Sequence, residues 1–195
     1  AGAYPMMFAG EQGVGGMVQL RPDQPVPSHW LGYVAVPDVD ALCARIPSLG
    51  GAVMFGPTDI PEVGRFAVIA DPAGAHVAPI TLLAPEPEPA SPVMGTVAWN
   101  ELLTTDADDA ARFYGAAFGW SHVTVDMGPL GMYWLLRTGE QDRAGILRMP
   151  DDAHSPPMWV PYFAVADVDV AARQAEQLGA QLFVRPRDIP GVGRF

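Results

Sequence analysis

The sequence predicts an α+β fold of repeated strand–helix–strand–strand–strand (βαβββ) modules, and three observations predict it. The first is an internal repeat. Asp59-Ile60-Pro61-Glu62-Val63-Gly64-Arg65-Phe66 recurs as Asp188-Ile189-Pro190-Gly191-Val192-Gly193-Arg194-Phe195. Sliding the chain against itself by 129 residues pairs 1–66 with 130–195 without a gap, and 25 of those 66 pairs are identical. So long a period means duplicated domains, not a short solenoid unit. The second is the punctuation within each period, where short apolar, β-branched and aromatic runs alternate with single acid-capped helices. The third is an apolar content of 49% in 195 residues, enough for a sizeable globular core.

Residues 2–8 and 14–20 read as two strands joined by the turn Gly10-Glu11-Gln12-Gly13. The run Arg21–Ser28 holds three prolines and is a connection. Trp30–Val36 is an apolar strand. Asp38 then offers a helix N-cap, and Asp40 lies at the positive end of the helix dipole. The helix Val39–Ile46 ends near Pro47, and Gly50-Gly51 supplies the following turn. Strands follow at 52–55, 65–70 and 76–82. After residues 84–93, where alternating proline makes an extended linker, a strand covers Thr96–Leu103. The helix 107–118 is capped by Asp106, with Asp108 and Asp109 in its first turn. Its Ala110, Phe113, Tyr114 and Ala117 recur at helical spacing and should face the core. Strands near 120–126, 132–137 and 144–149 complete this module, and 158–195 begin the same order again.

The expected organisation is a first domain over 1–83, the linker 84–93 and a second domain over 94–195. Each period holds two modules, so the chain shows parts of four. Arithmetic on the repeat implies a parent chain longer by about 33 residues before Tyr4's unit and about 17 after Phe195.

A net charge of −11 argues against nucleic acid and anionic membranes as partners, since both need basic surface. No apolar run approaches the roughly 20 residues of a membrane span. The lone Cys43 excludes an intrachain disulfide and a cysteine-based zinc site, and reads either as buried filler or as a nucleophile. A reducing cytoplasm is the default compartment.

Three stretches carry a resemblance. One is Thr105-Asp106-Ala107-Asp108-Asp109-Ala110-Ala111-Arg112-Phe113-Tyr114, closed by Phe118-Gly119-Trp120. The others are Val36-Pro37-Asp38-Val39-Asp40 with Leu49-Gly50-Gly51, and Asp71-Pro72-Ala73-Gly74-Ala75. In this module order they resemble the vicinal oxygen chelate superfamily, also called the glyoxalase/bleomycin resistance/dioxygenase superfamily. The tandem arrangement with His29-Trp30, Asp-Ile-Pro and Gly-Arg-Phe is similar to actinobacterial two-domain glyoxalase-like proteins labelled hydroxylases. The resemblance implies tandem modules forming cupped mixed sheets with helices on the outer face. In metal-using members it also implies one divalent ion held by His and Glu from the first and last strands of each module.

Carried over residue by residue, the first-strand ligand positions are Trp99, Leu31 and Val160, and the last-strand glutamate position is Ala78. The strands 14–20 and 143–149 offer no His or carboxylate. Divalent ions need imidazole or carboxylate ligands, so no metal site and no cofactor are expected. A divalent metal stays open only through segments outside this chain.

Period-two alternation places Trp99 and Glu101 together on the face toward the cup. Tyr33 and Tyr162 are expected inward as well, each two residues past an empty ligand position, and His76 shares a face with Ala78. Glu101 among aromatics reads as a general base or ligand anchor with a raised pKa, or as a carboxylate paired with a buried arginine or backbone amides. His122 shares a strand face with Thr124 and Asp126. His29 has no support from the repeat, because its counterpart is Met158. Arg65 and Asp59, repeated as Arg194 and Asp188, read as an ion pair pinning the loop between them. The alternative is an arginine over the cavity mouth, holding an anionic ligand.

The expected function is binding of a small, partly apolar molecule in aromatic-lined cavities without the usual metal. The alternative is an enzyme of the lyase or oxygenase/hydroxylase type, with Glu101 as acid–base or metal ligand. A small-molecule ligand is the expected partner, and assembly into a homo-oligomer stays open.

Overall fold

A computed structural model describes residues 4–23, 26–84, 93–128, 131–150, 152–189 and 191–195. Most of the proline-rich linker, residues 85–92, lies outside the described residues. The strands in chain order are β1 (Met6–Ala9), β2 (Gln12–Gly16), β3 (Tyr33–Ala35), β4 (Ala52–Ile60), β5 (Gly64–Ala70), β6 (His76–Leu82), β7 (Val97–Thr104), β8 (Ser121–Asp126), β9 (Met132–Thr138), β10 (Gln141–Arg148), β11 (Met158–Phe163), β12 (Asp188–Ile189) and β13 (Gly193–Arg194). The helices are α1 (Val39–Arg45), α2 (Ala107–Phe118) and α3 (Val168–Gln177), and a 3-10 turn over Ile46–Leu49 extends α1.

All three helices start in the same way. Asp38, Asp106 and Asp167 stand in extended backbone, and their side chains accept the N–H of Ala41, Asp109 and Val170 at 2.9 Å. Each satisfies one of the amides that a first turn leaves without an intrahelical partner. Gly119 ends α2 in the left-handed region at φ 73°, where a Cβ would be strained.

The chain divides into two compact units. The larger contains the described residues of 19–88 and 99–162, and the smaller those of 1–18, 89–98 and 163–195. The larger unit has two mixed sheets, ordered β3-β6-β5-β4 and β11-β7-β10-β9-β8. In each, the strand before the helix pairs in parallel with the last strand of its module (β3 with β6, β7 with β10), and the module's other strands add beyond that one, each antiparallel to its neighbour. In the second sheet β11 adds beside β7. This is the βαβββ order expected from the sequence, in an α+β fold.

One apolar core lies on the helix side of both sheets. It joins Val39, Leu42 and Ile46 of the first module to Ala110, Phe113 and Tyr114 of α2, with Ile69, Val77, Leu102, Leu136 and Ile146 from the strands. Arg45 ties the modules further by donating to the Ala116 carbonyl at 2.6 Å. Cys43 is buried in this core, and burial raises its thiol pKa, so it packs as a small apolar side chain.

The smaller unit holds the β1–β2 hairpin, α3 and the β12–β13 pair. Its segment around Gly95 is joined to Ala164 by Gly95 N–H to Ala164 O at 2.8 Å and Ala164 N–H to Thr96 O at 2.9 Å. Among the described residues, no helix is long and apolar enough to cross a membrane.

Several strands differ in extent from the sequence expectation. β3 covers only Tyr33–Ala35 of the expected Trp30–Val36, and β2 covers Gln12–Gly16 in place of 14–20. β4 does not stop at 55 but continues to Ile60, forming a long hairpin with β5. Gly56-Pro57 reads as a break, yet β4 is an edge strand, where a missing N–H costs no ladder bond. Its pairing absorbs the irregularity through two register shifts between Val53 and Thr58.

Candidate functional site

Glu101 lies near the middle of β7, opposite Gly145 of β10. Both of its oxygens are engaged. The Tyr133 hydroxyl donates to Oε1 at 2.9 Å, and the Tyr162 hydroxyl donates to Oε2 at 2.8 Å. Trp99, two residues earlier on β7, donates its indole N–H to the Tyr133 oxygen at 2.9 Å. The four side chains are half-buried. They form one hydrogen-bonded array across β11, β7, β10 and β9, running Trp99 to Tyr133 to Glu101, with Tyr162 closing it from the other side.

Gly145 makes the array possible. Tyr133 comes from β9 and must pass over β10 to reach Glu101 on β7. A Cβ at Gly145 would overlap the Tyr133 hydroxyl and ring. The phenol therefore occupies the space that any other residue would fill. Burial and the neighbouring Glu101 charge push the Tyr133 pKa well above its ordinary value. Tyr133 thus remains a protonated donor through the neutral range.

Tyr133 is absent from the site that the sequence suggests, although a signal for it was present. Tyr4/Tyr133 and Gly16/Gly145 are both identical pairs at the 129-residue offset. The β1–β2 hairpin shows the same device, because a Cβ at Gly16 would overlap the Tyr4 ring. A tyrosine laid over a glycine of the next strand is thus a property of the repeat.

The remaining candidates lie elsewhere. Tyr33 is on β3 in the other sheet, 49% exposed, with its ring 6.0 Å from Phe66, which is in turn 5.7 Å from Phe55. His76 opens β6 opposite Ala70 and is exposed. Arg65 is held by carboxylates. Its Nε and Nη2 donate to Asp40 at 2.7 and 3.0 Å, and Nη1 donates to Asp59 at 2.8 Å. The second copy repeats this, with Arg194 bonded to Asp169 at 2.7 and 2.9 Å and to Asp188 at 3.1 Å. The geometry is that of an ion pair pinning the loop, with a second carboxylate, Asp40 or Asp169, from the helix start. The guanidinium fork is already filled bidentately, which leaves little of it for an anion. His29 lies against the Pro27 carbonyl at 2.8 Å. His122 is on the exposed edge strand β8.

A second polar network is buried behind the sheet. Asp71, 4% exposed, accepts the N–H groups of Ala73 and Ala75 on Oδ1 at 3.0 and 2.8 Å. Its Oδ2 accepts the Tyr114 hydroxyl at 3.1 Å, and the Tyr114 oxygen accepts the Trp159 indole N–H at 2.9 Å. Trp159 is on β11, three residues before Tyr162, so the network holds the strand that presents Tyr162. Burial pushes both the Asp71 and Tyr114 pKa values up.

The donor set does not fit the divalent ion of metal-using members. At the positions that the resemblance carries over as ligands, Trp99, Leu31, Val160 and Ala78 supply no imidazole or carboxylate. Glu101 accepts one phenol on each oxygen and is a single carboxylate, short of the three or four protein ligands such a site needs. Among the described residues, no group of three or more His, Cys, Asp or Glu side chains could hold an ion.

Comparison with known proteins places the chain among relatives of one kind. A family model described as a glyoxalase-like domain matches residues 97–191. "Putative glyoxylase CFP32" of Mycobacterium bovis is 35% identical over 196 residues, covering 100% of this chain and 75% of that protein. "Anthracycline biosynthesis protein DnrV" of Streptomyces peucetius is 34% identical over 166 residues, covering 85% of this chain and 60% of that protein. Among solved structures, the Mn(II)-bound glyoxalase from Novosphingobium aromaticivorans aligns with a TM-score of 0.52 at 19% identity, over 79% of this chain. The chain spans about half the length of that structure, 53%, and the likeness is one of fold.

Proposed function

Because this chain belongs to the vicinal oxygen chelate superfamily of glyoxalases and dioxygenases, we propose that it binds a small, partly apolar molecule on the face around Glu101 without the superfamily's metal centre. The observation that carries the reading is the double commitment of Glu101. A carboxylate that accepts one phenol on each oxygen, beside ligand positions filled by Trp99 and Val160, is built to hold hydrogen-bonding groups in fixed positions. Each oxygen keeps a further lone pair for a donor on the ligand. The Trp99 and tyrosine rings offer apolar surface at low conformational cost. The relative named for anthracycline biosynthesis supports a planar, hydroxylated aromatic ligand.

The test is a calorimetric titration with a planar hydroxylated aromatic probe, alizarin. Trp99→Ala should weaken binding by more than about 1 kcal/mol through lost aromatic contact. An unchanged dissociation constant would remove the face from the account.

The same array favours a second reading, an enzyme in which Glu101 moves a proton on the bound molecule. Tyr133 and Tyr162 would hold the carboxylate in position, and Trp99 would orient Tyr133. Glu101→Gln should then abolish turnover while leaving affinity for the probe within a few fold. Turnover that survives this change excludes Glu101 as the base.

A further inference from the structure

We propose that β8 is an interaction surface through which two copies of this chain pair, edge to edge and antiparallel, about a twofold axis at Thr124. β8 ends its sheet, and among the described residues it pairs only with β9. All six of its residues, Ser121 to Asp126, are exposed. Its outer edge therefore presents a row of backbone N–H and C=O groups able to pair with another strand.

Natural sheets blunt such edges, and the neighbouring sheet of the larger unit does so. β3, at one end, is three residues long. β4, at the other, carries Gly56-Pro57 and two register shifts. β8 has none of these devices. Ser121-His122-Val123-Thr124-Val125-Asp126 contains no Lys, Pro or Gly and pairs with β9 without a register shift over all six residues.

The sequence of β8 identifies the occupant. Antiparallel pairing about Thr124 sets His122 opposite the partner's Asp126, and Asp126 opposite the partner's His122. It sets Val123 opposite the partner's Val125, and Thr124 opposite its own copy. The hydrogen-bonding His–Asp, β-branched and hydroxyl pairs all match in this register. Shifting the centre by one residue either way destroys both His–Asp pairs. Within one strand, His122 and Asp126 are about 13 Å apart along the backbone, too far to satisfy each other. Asp126 Oδ1 accepts Gly128 N–H at 2.8 Å, which fixes the carboxylate at the strand end. A net charge of −11 opposes indiscriminate association of copies, so pairing must come from a register that matches locally. Two copies offer a self-complementary interface of the isologous kind.

The test is sedimentation equilibrium of the full chain over a range of concentrations. Wild type should show a concentration-dependent monomer–dimer equilibrium. Thr124→Lys puts like charges face to face on the axis and should leave monomer, with an unchanged thermal melt because the side chain is exposed. His122→Asp should weaken the dimer by at least about tenfold, and the swap His122→Asp/Asp126→His should restore it to within about threefold. Monomer at every concentration, or a dimer indifferent to Thr124→Lys, overturns the proposal. A swap no better than the single change overturns the His–Asp register.

Discussion

Replacing Gly145 with alanine is expected to destabilise the protein by about 1–3 kcal/mol and to weaken binding at Glu101. The backbone is not the reason, since Gly145 sits in a β-strand in a conformation any residue adopts. The reason is the Tyr133 phenol, which fills the volume a Cβ would take. Alanine forces that ring off the strand. Glu101 then loses a donor on Oε1, and Trp99 loses its acceptor. A double-mutant cycle isolates the cause. With Tyr133→Ala already in place, Gly145→Ala should cost little, because nothing remains to collide with. Urea unfolding midpoints of the four proteins measure this directly. An equal cost in both backgrounds would show that Gly145 matters for some reason other than Tyr133.

The second large effect is expected from Tyr114→Phe. The ring keeps its edge contacts with Phe113 and Trp159, at 5.1 and 5.2 Å between centroids, so little packing is lost. The hydroxyl, however, serves two groups at once, the buried Asp71 and the half-buried Trp159. Without it, Asp71 Oδ2 and the Trp159 indole N–H have no partner from Tyr114. At about 1–3 kcal/mol for the buried carboxylate left unpaired, and less for the half-buried indole, the loss should be about 2–4 kcal/mol. The network also makes a pH prediction. Burial raises the Asp71 pKa above its unfolded value, so the native state holds that proton more tightly than the unfolded state does. The associated stability is fully present below the unfolded pKa and is lost as pH rises through the folded one. Stability of wild type relative to Asp71→Asn should therefore fall as pH increases through the carboxylate range. Denaturant unfolding of both proteins at a series of pH values checks the sign.

What the sequence revealed and what it hid follow from range. The helices were legible because their signals are local. An aspartate three residues before the amide it caps, and a glycine at the stop, are visible in a short window. Trp99 and Glu101 share a face by strand alternation alone. β4 beyond residue 55 was hidden because Gly56-Pro57 reads as a break unless the strand is known to be an edge. Tyr133 was hidden from any short window because its role depends on the registers of β9 on β10 and of β10 on β7, and its signal lay in the repeat, where Tyr4/Tyr133 and Gly16/Gly145 are identical. Arg65 had a visible partner in Asp59 six residues away, whereas Asp40, 25 residues away, read only as a helix-dipole residue. The Asp71–Tyr114 bond spans 43 residues and two modules. Helical spacing placed Tyr114 in the core without indicating what its hydroxyl would meet.

The central claim is that the face around Glu101 works without a metal ion. Elemental mass spectrometry tests it most directly, on the protein purified without an affinity tag and then exposed to Ni, Zn, Fe and Mn. The account predicts no stoichiometric ion in wild type and no difference between wild type and Glu101→Gln. A stoichiometric ion in wild type that is lost in Glu101→Gln would contradict it and make Glu101 a metal ligand.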